Sequence, residues 1–287
     1  MMTARSEETG AKAPLLERWA LVAGGGALPE EIARRWALQG RRGVIYVLGG
    51  RAEVLRPWGE ATVELDRADL RGTVEDMLRR GVRKVVLAGT VPKNTMYRPS
   101  QMDGTLQELL RRLPDSNDHA LLGAVVAALE GAGMTVMRYG DVLGDLMAEE
   151  GILGGREPSP EEWGDVAYGV EVASRLVPLS FGQTVVVRRR AVVAVESMEG
   201  TDGTLERAGR LASGGVVVKL MRGDQDDRYD LPVVGPRTVR LMGRWGLGCL
   251  AVEKGRTIIL DREKVMALAE AEGIAVVGVA PRRIPEA

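Results

Sequence analysis

Four aspartates, Asp224, Asp226, Asp227 and Asp230, stand within seven residues of the stretch 223–235. Like charges this close repel one another unless a cation, a basic partner or open exposure to water relieves them. A solvated acidic loop meets that condition, and so does a cation site. Asp230 differs from the other three because Leu231-Pro232-Val233-Val234 follows it directly, and a carboxylate leading into an apolar segment requires a partner. A second acidic group, Glu196, Glu199 and Asp202, surrounds Thr201 where a strand passes into a helix. Oxygen donors there suit a hard cation, although an ordinary Thr201 or Asp202 helix cap with solvated glutamates accounts for the same residues. The strand Val216–Leu220 delivers Lys219, and next to it Arg222, to the acidic stretch.

The residues that are scarce narrow the chemistry. There is one histidine, His119, and one cysteine, Cys249. Zinc hydrolases, dinuclear metallophosphoesterases and most catalytic triads draw on imidazole, so any metal here is expected to be oxygen-bound: Mg²⁺, Mn²⁺ or Ca²⁺. A single cysteine excludes an internal disulfide and suits a reducing compartment. With 39 basic and 40 acidic residues the net charge is −1, which lacks the basic excess of a nucleic-acid binder. No segment approaches the ~20 uninterrupted apolar residues of a membrane span.

The elements that must carry these residues follow from hydrophobic patterning. At 287 residues and 45% hydrophobic content the chain supports two ordinary domains. Residues 1–17 are expected to be a disordered leader. In 18–150, the apolar runs Ala20–Ala23, Val44–Leu48 and Lys84–Ala88 alternate with helical patterns, which implies a Rossmann-like α/β domain with a parallel sheet covered on both faces. The first run leads into Gly24-Gly25-Gly26 and then Pro29 at a helix start, either an anion-binding loop or a tight strand-to-helix turn. Pro29 stands where the dinucleotide fingerprint needs its third glycine, so a standard Rossmann cofactor site is rejected. Lys93 follows the C-terminal end of a strand, the edge where ligands of such sheets bind. Glycines and prolines over 151–160 read as a linker. Residues 161–287 are expected to form a second α/β domain with a mixed sheet, including a hairpin turned at Arg188-Arg189-Arg190.

Several motifs occur in a fixed order: Ala23-Gly-Gly-Gly-Ala-Leu-Pro29, Phe181-Gly-Gln183, Ala194-Val-Glu-Ser-Met-Glu-Gly-Thr-Asp202, Gln225-Asp226 and Arg228-Tyr-Asp-Leu-Pro-Val-Val-Gly-Pro-Arg-Thr238. Together, over residues 17–280, they resemble the LpxI family of UDP-2,3-diacylglucosamine pyrophosphatases of lipid A biosynthesis. The resemblance implies a two-domain α/β hydrolase, dependent on Mg²⁺, that releases UMP and 2,3-diacylglucosamine 1-phosphate. It implies a lipid-linked UDP-sugar held between the domains, a homodimer, and a cytoplasmic location with peripheral contact at the inner face of the inner membrane left open. It also makes Asp230 the essential aspartate. Within that frame Asp230, Asp226 and Lys219 are the expected catalytic residues, and Asp230, Glu199 and Asp202 the expected metal ligands. Substrate contacts are expected from Gly24, Gly25, Gly26, Lys93, Gln183, Thr201, Arg222 and Arg228. A nucleotide- or lipid-binding protein without catalysis is the alternative on the same fold.

Overall fold

The computed structural model describes residues 18–91, 99–113, 118–179, 182–221 and 226–280. In the first half, strands β1 (Arg18–Ala23), β2 (Val44–Leu48), β3 (Ala61–Leu65), β4 (Val82–Ala88) and β5 (Thr135–Val136) form one parallel sheet in the order β3-β2-β1-β4-β5. Helices α1 (Leu28–Leu38), α2 (Ala52–Leu55), α3 (Leu70–Arg79), α4 (Gly104–Arg112), α5 (Asp118–Gly131) and α6 (Tyr139–Leu143) connect and follow these strands. β2 and the C-terminal parts of β1 and β4 are continuous apolar runs, as expected of central strands covered on both faces. β3 escapes a reading based on apolar runs because it is a half-buried edge strand, Ala-Thr-Val-Glu-Leu.

The sheet reverses its winding between β1 and β4, the place where open α/β sheets leave a crevice for ligands. The three glycines after β1 sit there. Gly24 and Gly25 donate their N–H groups to Ala88 O and Thr90 O, each at 2.8 Å, and Thr90 N–H returns to Gly25 O at 2.9 Å. Close approach explains Gly24, since a Cβ there would lie 2.6 Å from Thr90 O, and Gly26 adopts φ +97°.

The second half contains β6 (Gly151–Gly155), α7 (Pro160–Leu176), β7 (Thr184–Arg188), β8 (Ala191–Val195), α8 (Gly200–Leu211), β9 (Val216–Lys219), β10 (Val233–Val234), α9 (Pro236–Arg244), β11 (Cys249–Glu253), β12 (Ile258–Ile259), α10 (Arg262–Ala271) and β13 (Ala275–Val279). Six strands form a mixed sheet in the order β6-β13-β11-β9-β7-β8. β9, β11 and β13 run parallel, while β6 and the β7–β8 hairpin add antiparallel edges. β10 and β12 pair separately, in parallel.

The stretch 151–160, expected as a linker, is partly a strand. β6 pairs with β13, and α7 starts at Ser159 through a reciprocal capping box with Glu162. Its glycines serve close packing rather than flexibility: a Cβ on Gly155 would collide with the Ile274 carbonyl, and one on Gly154 with Met266.

Apolar packing crosses from one half to the other. Met221, Leu231, Ile258 and Leu260 share a buried cluster with Leu21, Ile32, Ile45, Tyr139 and Leu143 of the first half. The residues on both sides of the acidic stretch are therefore anchored at the junction.

Candidate active site

Strand register assembles the centre of the site. β7 pairs antiparallel with β9 so that Thr184 lies opposite Lys219, the last residue of β9. The chain leaves β8 with Glu196 N–H bonded to Thr184 O at 2.8 Å, then enters α8. Thr201 and Asp202 do not cap that helix. Its N-cap is Glu199, which makes no side-chain cap bond, and Thr201 and Asp202 fall in the first turn. Thr201 turns inward instead: Lys219 Nζ donates to Thr201 Oγ1 at 2.8 Å and to Thr184 Oγ1 at 3.3 Å. Thr201 donates in turn to Glu196 Oε1 at 3.0 Å, and Glu196 Oε2 accepts the Gln183 N–H at 3.2 Å and lies 4.0 Å from Lys219 Nζ.

Lys219 is only 5% exposed. Burying an ammonium is costly unless it is paired and hydrogen-bonded, which the two hydroxyls and nearby carboxylates supply. Burial pushes its pKa down, while Glu196, Asp202 and Asp230 work in the opposite direction. Burial raises the pKa of the Tyr139 phenol and the Asp230 charge adds to that, while the phenol hydroxyl donates to Leu87 O at 2.6 Å.

Among the described residues of the acidic stretch, Asp226 and Asp227 are paired with arginines. Asp226 accepts the Arg228 backbone N–H at 3.0 Å and the Arg228 Nε at 2.8 Å, and Arg228 also reaches Glu130 on α5 at 2.7 Å. Burial would raise the Asp226 carboxyl, but the bonds from Arg228 hold it below its usual range. Asp227 pairs with Arg138 through both oxygens, at 2.8 and 2.9 Å, and its carbonyl accepts the Tyr139 N–H at 3.1 Å. Asp226 and Arg228 thus tie the stretch to itself and to α5. Asp230, whose N–H donates to Asp226 O at 3.1 Å, stands at the end of this turn just before buried Leu231.

The other expected residues are placed unevenly. Glu199 faces Arg207 at 2.6 Å and Thr204 at 3.2 Å, and the Arg207 bond draws its pKa down. Asp202 pairs with Arg237 at 2.7 Å while its charge still reaches Lys219. Gln183 contributes its backbone, taking part in the Glu196 bond and accepting the Leu220 N–H at 3.0 Å. Gly24, Gly25 and Gly26 lie at the crevice of the first sheet. Lys93 and Arg222 lie outside the described residues, as do Phe181, Asp224 and Gln225.

Among the described residues no three His, Cys, Asp or Glu side chains converge as a ready metal cage. Mg²⁺ needs no such cage, since it is commonly held by one or two carboxylates together with substrate phosphates and water. Asp230 suits that mode, whereas Glu199 is committed to Arg207 and Asp202 to Arg237. A separate cavity of about 750 Å³ lies beside the N-termini of α3 and α4, lined by Arg67, Asp69, Arg71, Asp103, Glu108 and Arg112, and shares no residue with the Lys219 cluster. Asp69 and Asp103 are there as helix caps.

Two residues of the cluster, Thr184 and Tyr139, were not singled out from the sequence, and Glu196, read there as part of an acidic group, was given no role in the site. Glu196 had a usable signal, a carboxylate closing an apolar strand just ahead of the Glu-Gly-Thr-Asp motif. Thr184 looks like the first residue of a β-branched run, and Tyr139 carries no local signal at all.

Against known proteins, residues 18–146 match the model of the LpxI N-terminal domain and residues 149–277 that of the LpxI C-terminal domain. The UDP-2,3-diacylglucosamine pyrophosphatase LpxI of Caulobacter vibrioides is 32% identical over 94% of this chain and 100% of its own length. Among solved structures, CobK precorrin-6A reductase aligns over 94% of this chain and 90% of its own at 13% identity and a TM-score of 0.31, too low for anything to be carried across. Two adjoining domain models and a full-length relative together show that the chain belongs to the LpxI family.

Proposed function

We propose that this protein hydrolyses the pyrophosphate bond of UDP-2,3-diacylglucosamine to UMP and 2,3-diacylglucosamine 1-phosphate. The observation that carries the reading is the buried Lys219 ammonium, seated on two threonine hydroxyls with the charges of Glu196, Asp202 and Asp230 acting on it, beside the junction of the two domains. The family relative bears the name of that activity.

Hydrolysis of a pyrophosphate forms one P–O bond from water and breaks one bridging P–O bond, and the transition state spreads charge over phosphoryl and leaving oxygens. Lys219 opposes that charge from a water-poor seat, where a cation acts more strongly than in solvent. Asp230 orients the attacking water and accepts its proton as the new bond forms. Thr201 keeps the ammonium at a set height, and the glycine turn at Gly24–Gly26, with its Gly24 and Gly25 N–H groups spent on Ala88 and Thr90, gives the nucleotide a crevice wall without side chains. Asp230, together with the substrate phosphates, would hold Mg²⁺, which would supply Lewis-acid neutralisation of those phosphates.

The acyl chains of such a substrate bring the protein to a membrane surface from the cytoplasm. No helix among the described residues is long and apolar enough to cross a membrane, so the contact in this reading is peripheral. A homodimer completes the proposal and is checked by light scattering coupled to gel filtration.

The test is release of UMP from UDP-2,3-diacylglucosamine by the purified protein with Mg²⁺ and with EDTA. Metal-dependent release is expected, and its loss in Asp230→Asn. Tight binding of the substrate without turnover would instead identify a carrier. Turnover unaffected by EDTA would remove Mg²⁺ from the proposal.

A further inference from the structure

We infer that Glu196 is a positioning residue: through the Thr201 hydroxyl it aims the Lys219 ammonium at the substrate pyrophosphate, a role that rests on the function proposed above. A hydroxyl has one proton. That of Thr201 is directed to Glu196 Oε1 at 3.0 Å, so a lone pair of Oγ1 is left to receive Lys219 Nζ at 2.8 Å. Without the carboxylate the hydroxyl is free to rotate, and the seat of the ammonium loses its direction.

Glu196 is itself held at both ends. Oε1 takes the Thr201 hydroxyl and Oε2 the Gln183 N–H at 3.2 Å. Gly182 packs so tightly on it that a Cβ there would lie 2.6 Å from Glu196 Cγ. The side chain is 13% exposed, against 46% for Asp202, so Glu196 approaches the lysine from the protein side and Asp202 from the solvent side.

Distance explains why the pair aims the charge instead of quenching it. Glu196 Oε2 is 4.0 Å from Nζ, beyond a direct hydrogen bond, and Thr184 takes a second proton at 3.3 Å. An ammonium has three protons, so one remains for an anion in the site. Burial lowers the Lys219 pKa, and the charges of Glu196, Asp202 and Asp230 work against that lowering.

The experiment compares full-length wild type, Glu196→Gln, Thr201→Val and Thr201→Ser in UMP release across pH. Glu196→Gln is expected to lower kcat roughly 10- to 100-fold with much less change in KM. Its alkaline limb is expected at lower pH, because removing the carboxylate lets burial depress the lysine further. Thr201→Val should follow Glu196→Gln, Thr201→Ser should lose much less, and the double Glu196→Gln, Thr201→Val should be no worse than the poorer single variant. Wild-type kinetics in Glu196→Gln, or single losses that multiply in the double variant, would overturn the inference. If the wild type itself releases no UMP, the proposed function fails and ¹³C-lysine NMR decides this one separately. A Lys219 signal titrating at lower pH in Glu196→Gln supports it, and identical titration overturns it.

Discussion

Asp226 and Asp230 are four residues apart and end in different chemistry. Asp226 is consumed by Arg228, which grips both its oxygens and receives further support from Glu130. Asp230 has its charge set on Lys219 and Tyr139. Asp230→Asn keeps the shape and removes the charge, so UMP release is expected to fall at least about 100-fold, the scale lost with a proton-transfer group, while the melting temperature holds. Asp226→Asn weakens charge-assisted bonds at a partly buried site and is expected to cost about 1–2 kcal/mol in urea unfolding, with turnover well above that of Asp230→Asn. Equal turnover in the two variants would reverse the roles assigned to them.

At the scale of the element, the β7–β8 hairpin shows how one side chain supports an uncomfortable turn. Its two loop residues, Arg189 and Arg190, adopt φ +48° and +57°, the left-handed conformation that a two-residue hairpin of this twist requires and that glycine or asparagine usually fills. Asp165 of α7, 3% exposed, takes both of their N–H groups, at 2.8 and 2.6 Å. Asp165→Ala is expected to cost about 2–3 kcal/mol, since two charge-assisted bonds go and two N–H groups lose their acceptor. Adding Arg190→Gly to that variant should restore part of the loss by relieving the backbone, and a calorimetric melt of the three proteins reads both effects. Because this hairpin also carries Thr184 and leads to Glu196, its register is part of the site as well as of the sheet.

Across the whole molecule, the shared apolar cluster makes the two halves depend on each other. Leu231 is 8% exposed and packs with residues of the first sheet and its helices, directly after Asp230. Leu231→Ala is expected to destabilise the protein by about 2–4 kcal/mol and, if Asp230 has the proposed role, to lower kcat as well, because the anchor of Asp230 is loosened. The surface pair of Arg138 with Asp227 spans the same junction, but the partners are 63% and 38% exposed, so Arg138→Ala should change the unfolding free energy by less than about 1 kcal/mol. A larger loss for Arg138→Ala than for Leu231→Ala would mean that charge, not apolar burial, holds the junction.

Composition and patterning alone determined a good deal of this protein. Alternating apolar runs and helical segments define two α/β domains, the β7–β8 hairpin is legible from its basic turn, and the ordered motifs carry the family. The glycine-rich stretch 151–160 misled because glycine marks both a loose connection and a strand packed too closely for a side chain, and only the neighbouring carbonyl of Ile274 distinguishes them. Partnerships among charges were likewise out of reach. Lys219 meets Thr201 from 18 residues away and Thr184 from 35, and Arg228 finds Glu130 across 98. Strand register and the packing of the two halves set those meetings, so aspartates that are neighbours in the sequence take different partners: the Asp230 charge acts on a buried lysine, and Asp226 and Asp227 pair with arginines. Chemistry was written in the residue types, and tertiary structure decided which of them would perform it, because the energy of a charge depends on its partners and its burial more than on its neighbours along the chain.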